Sequence, residues 1–442
     1  MQPRQLAIKI LRRIEKTDAY VDIIIDNELQ KSKLSRNEKG FVNELVNGTL
    51  RWRGKLKWLI VQFYDGKYKK CPSNIKYILE VTLYQLLHLY NIPDYAAINE
   101  GVLLAKKLNG NYWARKVNGI LRSIIREKQQ LAYPDINYNA AEFIAVKYSH
   151  PQWLVERWIN RYGVEDTQKL CEANNQTPEI SLRVNRITIS TQKLQNILLK
   201  EKIEVRQPGY LSEFLKVKKL PNLSKYKPFQ QGLFSIQDES AGLVAHLVDP
   251  KPGELIVDLC AAPGGKTTHI AELAANKCYI LANDLYFNRL LLIRQNIKRL
   301  GLQNINLLNA DAAKYLNVKA DKVLVDAPCS GFGVLSKRSD LRWKRTSLQV
   351  EQVIKVQLQV IAAAALLVKR GGTLVYSTCT IEPDENENII NNFLIKNPNF
   401  IIDNPVNYVS KKLISNGKYI YTYPHIHNMD GSFAVRLIKR ND

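Results

Sequence analysis

From residue 1 to about 135, apolar positions recur at steps of three and four. In SNIKYILEVTLYQLLHLY, residues Ile75, Ile78, Leu79, Thr82, Leu83, Leu86, Leu87 and Tyr90 fall on one helical stripe, and Ser73 stands where a cap would start it. Similar stripes run through Leu6, Ile10 and Ile14, through Phe41, Leu45, Val46 and Leu50, and through Trp113, Val117, Ile120, Leu121 and Ile124. Gly- and Asn-containing turns separate them. The pattern predicts an all-helical bundle of five or six helices over residues 1–140. The run YPDINYN followed by SHPQW, rich in Pro, Asn and Asp, predicts a boundary at about 134–151.

Beyond that boundary the periods mix. Helical segments from Trp153 to Tyr162 and from Thr191 to Lys200 alternate with β-type runs at Ile180–Ile187, Phe214–Val217 and Leu233–Ile236. This predicts a small α+β connecting domain over 150–235. From 236 to 442 the strand-like runs ELIVDL, YILAND, NINLLN, KVLVDA and GTLVYST are separated by helical stretches at 267–275, 287–300 and 348–368. The alternation predicts an α/β, doubly wound, Rossmann-like domain with a mainly parallel sheet. Ligands of such sheets lie beyond the carboxyl ends of the strands, so the residues just after each run are the ones to read for chemistry.

Composition adds a partner. The chain carries 64 Lys+Arg against 41 Asp+Glu, a formal charge of +23, and residues 1–150 alone hold 25 basic and 14 acidic side chains. Such an excess is most simply used to neutralise a polyanion, so nucleic acid is the expected partner. The longest apolar run, Val360 to Val368, falls well short of the ~20 residues of a membrane span, so no membrane partner is expected. Arg4, Lys9, Arg12, Arg13 and Lys16 interrupt the apolar positions of the amino end, which therefore reads as helix rather than signal peptide and points to the cytoplasm. The six cysteines include no CxxC pair, and the nearest two, Cys260 and Cys278, are 18 positions apart. Neither a disulfide framework nor a zinc ribbon is expected, and no metal.

After the first strand of the carboxyl-terminal region comes DLCAAPGGKTTHIAEL. Asp258 closes the strand, and Cys260, Ala261, Ala262, Pro263, Gly264, Gly265 and Lys266 form a small-residue loop before a helix beginning near Thr267. Such a loop lets backbone approach a ligand while the helix amino end supplies donors. Gly265-Lys266-Thr267 matches the ending of a phosphate-binding P-loop, but the glycine five places earlier would have to be residue 260, which is cysteine. The GxGxxG fingerprint is absent too. Asp284, at the end of the second run, could accept from both hydroxyls of a ribose, and Asp311, at the end of the third, could face an adenine amino group. Each acid alone reads equally well as a turn or cap residue; their joint register favours a nucleoside cofactor without phosphates, such as S-adenosylmethionine.

The fourth run ends in Asp326-Ala327-Pro328-Cys329 and the fifth in Ser377-Thr378-Cys379, so two cysteines arrive at the same sheet edge. A lone cysteine there is more often a small buried apolar residue. Two suggest thiolate chemistry: adding a thiolate to C6 of a pyrimidine makes C5 electron-rich enough to take a methyl group, after which the C5 proton must leave. The residues alone do not say which cysteine attacks.

The blocks DLCAAPGGKTTHIA, NDLYFNRLLLIRQNIKRLGL, DAPCSGFGVL, YSTCTIEPDENE and DGSFAVRL resemble those of the Sun family of RNA cytosine-C5 methyltransferases, and together span about 236–438. The helical amino-terminal region is similar to the NusB RNA-binding fold. The resemblance implies that Cys379 is the nucleophile and that Cys329 assists product release. It implies that Cys260 to Lys266, Asp284, Asp311 and Asp326 line the S-adenosylmethionine site, and that Asp326 and Lys266 reach the cytosine. It further implies action on 16S ribosomal RNA, with a tRNA cytosine methyltransferase and a noncatalytic RNA-binding assembly factor as the rivals; separately, a monomer is expected. Thr380 stands where the family often has Ser, and Ser432 where a second Phe is common. Between the cysteine blocks, SKRSDLRWKR interleaves Arg338, Arg342 and Lys344 with Trp343, a pattern that suits RNA backbone beside an unstacked base. The target cytosine must leave its stack to react, so a single-stranded or loop cytosine is expected.

Overall fold

The computed structural model describes residues 2–17, 21–127, 130–131, 133–314 and 316–441. They form two compact units. One runs to Gln176 and includes Arg338–Lys344; the other comprises Thr177–Lys337 and Arg345 onward.

The first unit is helical: α1 Pro3–Lys16, α2 Val21–Gln30, α3 Arg36–Phe63, α4 Ser73–His88, α5 Asp94–Asn109, α6 Asn111–Glu127, α7 Ala140–Lys147 and α8 Gln152–Ala173. A capping box between Ser35 and Glu38 starts α3. The expected stripe on α4 is buried from Ile75 to Leu86, but Tyr77, Val81 and Tyr84 on the other faces are buried as well. A helix apolar all round belongs at the centre of a bundle, and α4 packs against α1, α3, α5 and α6. Two local expectations are corrected. Pro72 rather than Ser73 occupies the cap position, and Ser73 is the first helical residue. Tyr90 is exposed because the helix stops at His88 before the stripe can reach it.

The division between units falls later than the Pro- and Asn-rich stretch. Helix α7 packs on α3 and α8 packs on α7, which draws both into the first unit. The segment expected to end at Tyr162 continues as α8 to Ala173, bent where Gly163 adopts φ 78°, a conformation glycine reaches without steric cost.

The second unit begins with a four-stranded antiparallel sheet of β1 Ile180–Val184, β2 Val205–Arg206, β3 Phe214–Val217 and β4 Phe234–Ile236, in the order β2-β3-β1-β4. The larger sheet contains β5 Leu255–Asp258, β6 Tyr279–Asn283, β7 Ile305–Leu308, β8 Ala320–Asp326, β9 Val368–Thr378, β10 Phe400–Ile402, β11 Ile414–Ser415, β12 Tyr419–Thr422 and β13 Ser432–Lys439. Its order is β11-β12-β13-β9-β8-β5-β6-β7, with β10 beside β13. β5 through β9 pair in parallel, and β13 runs antiparallel to β9. The strand period of two sends alternate residues to opposite faces. Val257, Val323, Val325, Leu374 and Tyr376 join one core, while Ile256, Leu324 and Val375 join the other. Because β5 is flanked by β6 and β8, the chain order reverses there, and the crevice at the carboxyl ends of β5 and β8 is where such a sheet takes its ligand.

Among the described residues one helix, Ser347–Leu367, is long and apolar enough to cross a membrane by length and composition alone. Counting unbroken apolar runs missed it, because scattered glutamines interrupt the run without making the average polar. It packs on β8 and β9, burying Val360, Ile361 and Ala364.

Candidate active site

Strand β5 ends at the buried Asp258, and the loop to Gly264 leads directly into the helix Gly265–Leu273. Gly264 closes the loop at φ 98°, where a Cβ would stand 3.1 Å from the Ile293 side chain, so the turn requires glycine. Asp258 accepts a hydrogen bond from Thr267 Oγ1 at 2.7 Å, and burial pushes its carboxyl up to about 7. From β1, the fully buried Arg183 donates to Gly265 O at 2.6 Å, to Thr268 Oγ1 at 3.0 Å and to both carboxylate oxygens of Glu272. It ties the small sheet to the start of this helix.

The neighbouring strand ends are tied to the same loop. Asn283, closing β6, donates to Leu259 O at 2.9 Å and to Ala310 O at 3.1 Å, and accepts from Ala310 N at 3.0 Å. One amide therefore fixes the loops after β5, β6 and β7 together. Asp284 is 3% exposed; it accepts from Ala262 N at 3.2 Å and Tyr286 N at 3.1 Å, and Arg289 lies 3.3 Å away. A carboxylate has about four acceptor positions, so this acid has capacity left for hydroxyl groups. Asp311 is half-buried and accepts from Ala313 N at 3.0 Å, the local turn bond that the plain reading of this residue anticipates. Burial raises the Cys260 thiol, which makes this cysteine a poor nucleophile.

At the ends of β8 and β9 the two cysteines meet, with Cys329 Sγ and Cys379 Sγ 3.2 Å apart and neither in a disulfide. Beside them Lys266 Nζ lies 2.7 Å from Asp326 Oδ2, while Ser377 Oγ donates to Asp326 Oδ1 at 2.9 Å. Burial works to lower the Lys266 pKa, but the Asp326 carboxylate and the nearby Cys379 outweigh it, so the ammonium is held cationic. The Cys329 thiol is pushed well above its ordinary range, first by Cys379 and then by burial. A cavity of about 540 Å³ is lined by Pro263, Lys266, Thr378 and Cys379 on one side and by Ile180 and Ile236 of the small sheet on the other. Cys379, rather than Cys329, faces that space.

Sequence reasoning passed over three residues that build this site: Arg183, Asn283 and Glu385. Fully buried, Glu385 accepts from Ser330 N at 2.8 Å, Gln357 Nε2 at 3.1 Å, Thr380 Oγ1 at 3.2 Å and Ser330 Oγ. Ser330 follows Cys329 and Thr380 follows Cys379, so one carboxylate braces both thiol loops. Burial raises its pKa, and the Ser330 bonds act against that. The glutamate lay within the quoted EPDENE block; what a sequence does not show is the fold-dependent reach from there to Ser330.

Within the basic loop, Arg342 is a correction. Arg342 is fully buried, donating to Ser149 O at 3.1 Å, Asn174 O at 3.1 Å and Asn175 Oδ1 at 2.8 Å. Burial lowers its pKa to about 9. Trp343 Nε1 donates to Leu50 O at 2.7 Å, Lys344 Nζ to Thr17 O at 3.3 Å, and Arg338 Nε lies 3.7 Å from Asp340. Carbonyls at the ends of α7 and α8 need donors, and Arg342 supplies them instead of meeting RNA.

A mixed sheet in this order, parallel from β5 to β9, with a glycine turn after β5 and acids at the next strand ends, is the Rossmann-like fold of methyltransferases. The family model for the 16S rRNA methyltransferase RsmB/F matches residues 245–438, the NusB family model residues 1–126, and an RsmF/B-like ferredoxin-like domain residues 150–223. The chain is 36% identical to the "Probable ribosomal RNA small subunit methyltransferase B" of Bacillus subtilis (strain 168), covering 99% of this chain and 98% of that protein. It is 37% identical to the protein of the same name from Synechocystis, covering 99% of each. The crystal structure of NSun6 from Pyrococcus horikoshii with SFG superposes with a TM-score of 0.60 at 30% identity, covering 66% of this chain and 99% of that one. The chain belongs to the RsmB/RsmF family of ribosomal RNA methyltransferases.

Proposed function

We propose that this protein methylates C5 of a cytosine in 16S ribosomal RNA in the cytoplasm, through a transient bond between Cys379 Sγ and C6, with S-adenosylmethionine as methyl donor. The observation that carries the reading is the pair of thiols 3.2 Å apart beside the Lys266–Asp326 ion pair, with Cys379 facing the cavity. The cofactor suits the residues present: the glycine turn at Gly264 keeps the loop close and small, Asp284 retains acceptor capacity for ribose hydroxyls, and Asp311 follows on the next strand. SFG, an S-adenosylmethionine analogue, accompanies the NSun6 relative. When bound, S-adenosylmethionine supplies an electrophilic methyl group.

The chain's own residues do the rest. The thiolate of Cys379 adds to C6 and moves the C5=C6 electron pair onto C5, from which it is delocalised through C4 and N3 toward C2=O2. The Lys266–Asp326 pair is placed to stabilise charge developing on that face of the ring. After C5 has taken the methyl group, its proton is removed, the double bond re-forms and the Cys379 sulfur leaves as thiolate. Cys329, whose sulfur lies 3.2 Å from that of Cys379, is the group within reach to take the base's part in that second stage.

Bisulfite sequencing of total RNA from cells with and without the gene tests the reading. One cytosine of 16S ribosomal RNA should lose its protection when the gene is removed; a lost site in tRNA, or none, would overturn the substrate assignment.

A further inference from the structure

Away from the thiols, three metal-ligating side chains converge from three elements of the second unit. Glu213 immediately precedes β3, His246 lies on the helix Glu239–Val248, and His269 lies on the helix Gly265–Leu273, three residues after Lys266. Glu213 Oε1 is 2.7 Å from His246 Nε2 and 3.3 Å from His269 Nε2, and one ligand atom from each residue falls within 4.8 Å of the others. His269 is 1% exposed; its Nε2 meets Glu213 at 3.3 Å without hydrogen-bond geometry, and its Nδ1 makes no hydrogen bond among the described residues. A buried ring so poorly satisfied is costly, and its Nε2 faces a carboxylate and a second imidazole.

We propose that Glu213, His246 and His269 bind a single zinc ion that ties the small sheet to the helix carrying Lys266. Two imidazoles and one carboxylate suit zinc and disfavour calcium and magnesium, which take oxygen ligands. With zinc–ligand bonds of about 2.0–2.2 Å, tetrahedral ligand atoms stand roughly 3.3–3.5 Å apart. The Glu213–His269 spacing already fits. His246, whose side chain is 27% exposed, has room to withdraw by the half ångström that its spacing lacks. The fourth position goes to water.

The surrounding groups permit the charge. Arg183, the cation that acts on His269, is already paired with Glu272 at 2.8 Å. Glu213 is the one carboxylate among the three ligands, and a dication offsets its charge. The cysteine spacings that argued against a zinc ribbon did not bear on this set, since its members lie 33 and 23 residues apart and meet only through the fold.

The test uses the full-length protein, stripped with a chelator, desalted and equilibrated with zinc chloride. Atomic emission should find one zinc per chain, and zinc should raise the melting temperature in a way the chelator reverses. His246→Ala, at the most exposed of the three positions, should bind at least tenfold more weakly and lose the melting shift, and Glu213→Gln should do likewise. Cys329→Ser/Cys379→Ser should keep its zinc. No stoichiometric zinc in the wild type, full occupancy in His246→Ala, or loss of zinc in the cysteine variant would each overturn the proposal.

Discussion

Replacing Glu385 by glutamine changes one atom of the brace beneath the two thiols. The carboxylate accepts from Ser330 N and Gln357 Nε2 at Oε2, and from Ser330 Oγ and Thr380 Oγ1 at Oε1. Glutamine keeps the volume and the second pair, but sets an NH2 against the first two donors. Leaving a buried donor unpaired costs about 1–3 kcal/mol, so with two such donors Glu385→Gln should lose roughly 2–6 kcal/mol of stability in a denaturant titration. The catalytic consequence follows from position, because Ser330 and Thr380 each adjoin a cysteine. A shift of about 1 Å in a reacting group costs on the order of a hundredfold, so kcat for RNA methylation should fall roughly ten- to a hundredfold. Affinity for RNA and for S-adenosylmethionine should stay within about twofold, since Glu385 touches neither the cofactor loop nor the cavity wall. A folded Glu385→Gln enzyme with wild-type kcat would refute the bracing role.

Other substitutions separate the remaining parts of the account. Asp284→Ala should weaken S-adenosylmethionine binding at least roughly tenfold by calorimetry, because hydrogen bonds to a charged acceptor are worth about 1.5–3 kcal/mol each; unchanged affinity in a folded variant would remove Asp284 from the site. The carboxyl of Asp258 titrates at about 7 when folded, above its ordinary value of 3.8, so the stability it contributes is complete below pH 3.8 and is lost as pH rises through 7. Relative to Asp258→Asn, the wild type should therefore lose up to roughly 4 kcal/mol between pH 4 and pH 8, and parallel stability curves would contradict that. Arg342→Ala should destabilise the helical unit by at least about 2 kcal/mol through its orphaned carbonyls, while leaving the salt dependence of RNA binding unchanged; a flatter slope would restore Arg342 to the RNA surface.

The features legible in the sequence are those whose signal is local. Strands β5 to β9 declare themselves by short apolar runs with acids or cysteines at their ends, so Asp258, Asp284, Asp326, Cys329 and Cys379 could be placed at one sheet edge without coordinates. Helix Phe287–Leu300 was readable to the residue for the same reason. What escaped depends on partners far away in the chain. Arg183 reaches Glu272 across 89 positions, and Glu385 reaches Ser330 across 55. Arg342 misled because a basic residue beside a tryptophan looks the same whether its guanidinium meets phosphate or buried carbonyls, and only the fold shows Ser149 O and Asn174 O waiting for it. The antiparallel strands β10, β11 and β12, of three, two and four residues, are too short to show a period; the eight-residue β13 begins within the DGSFAVRL block.

The central claim is that the two cysteines are 3.2 Å apart because they act in sequence on one base, Cys379 attacking and Cys329 releasing. Incubating each alanine variant with substrate RNA and S-adenosylmethionine, then resolving the products on a denaturing gel, tests it most directly. Cys329→Ala should accumulate a protein–RNA adduct that needs S-adenosylmethionine, because the nucleophile is intact and release is impaired. Cys379→Ala should show neither adduct nor methylation. An adduct in the Cys379 variant would reverse the two roles, and an adduct in neither would contradict the covalent mechanism.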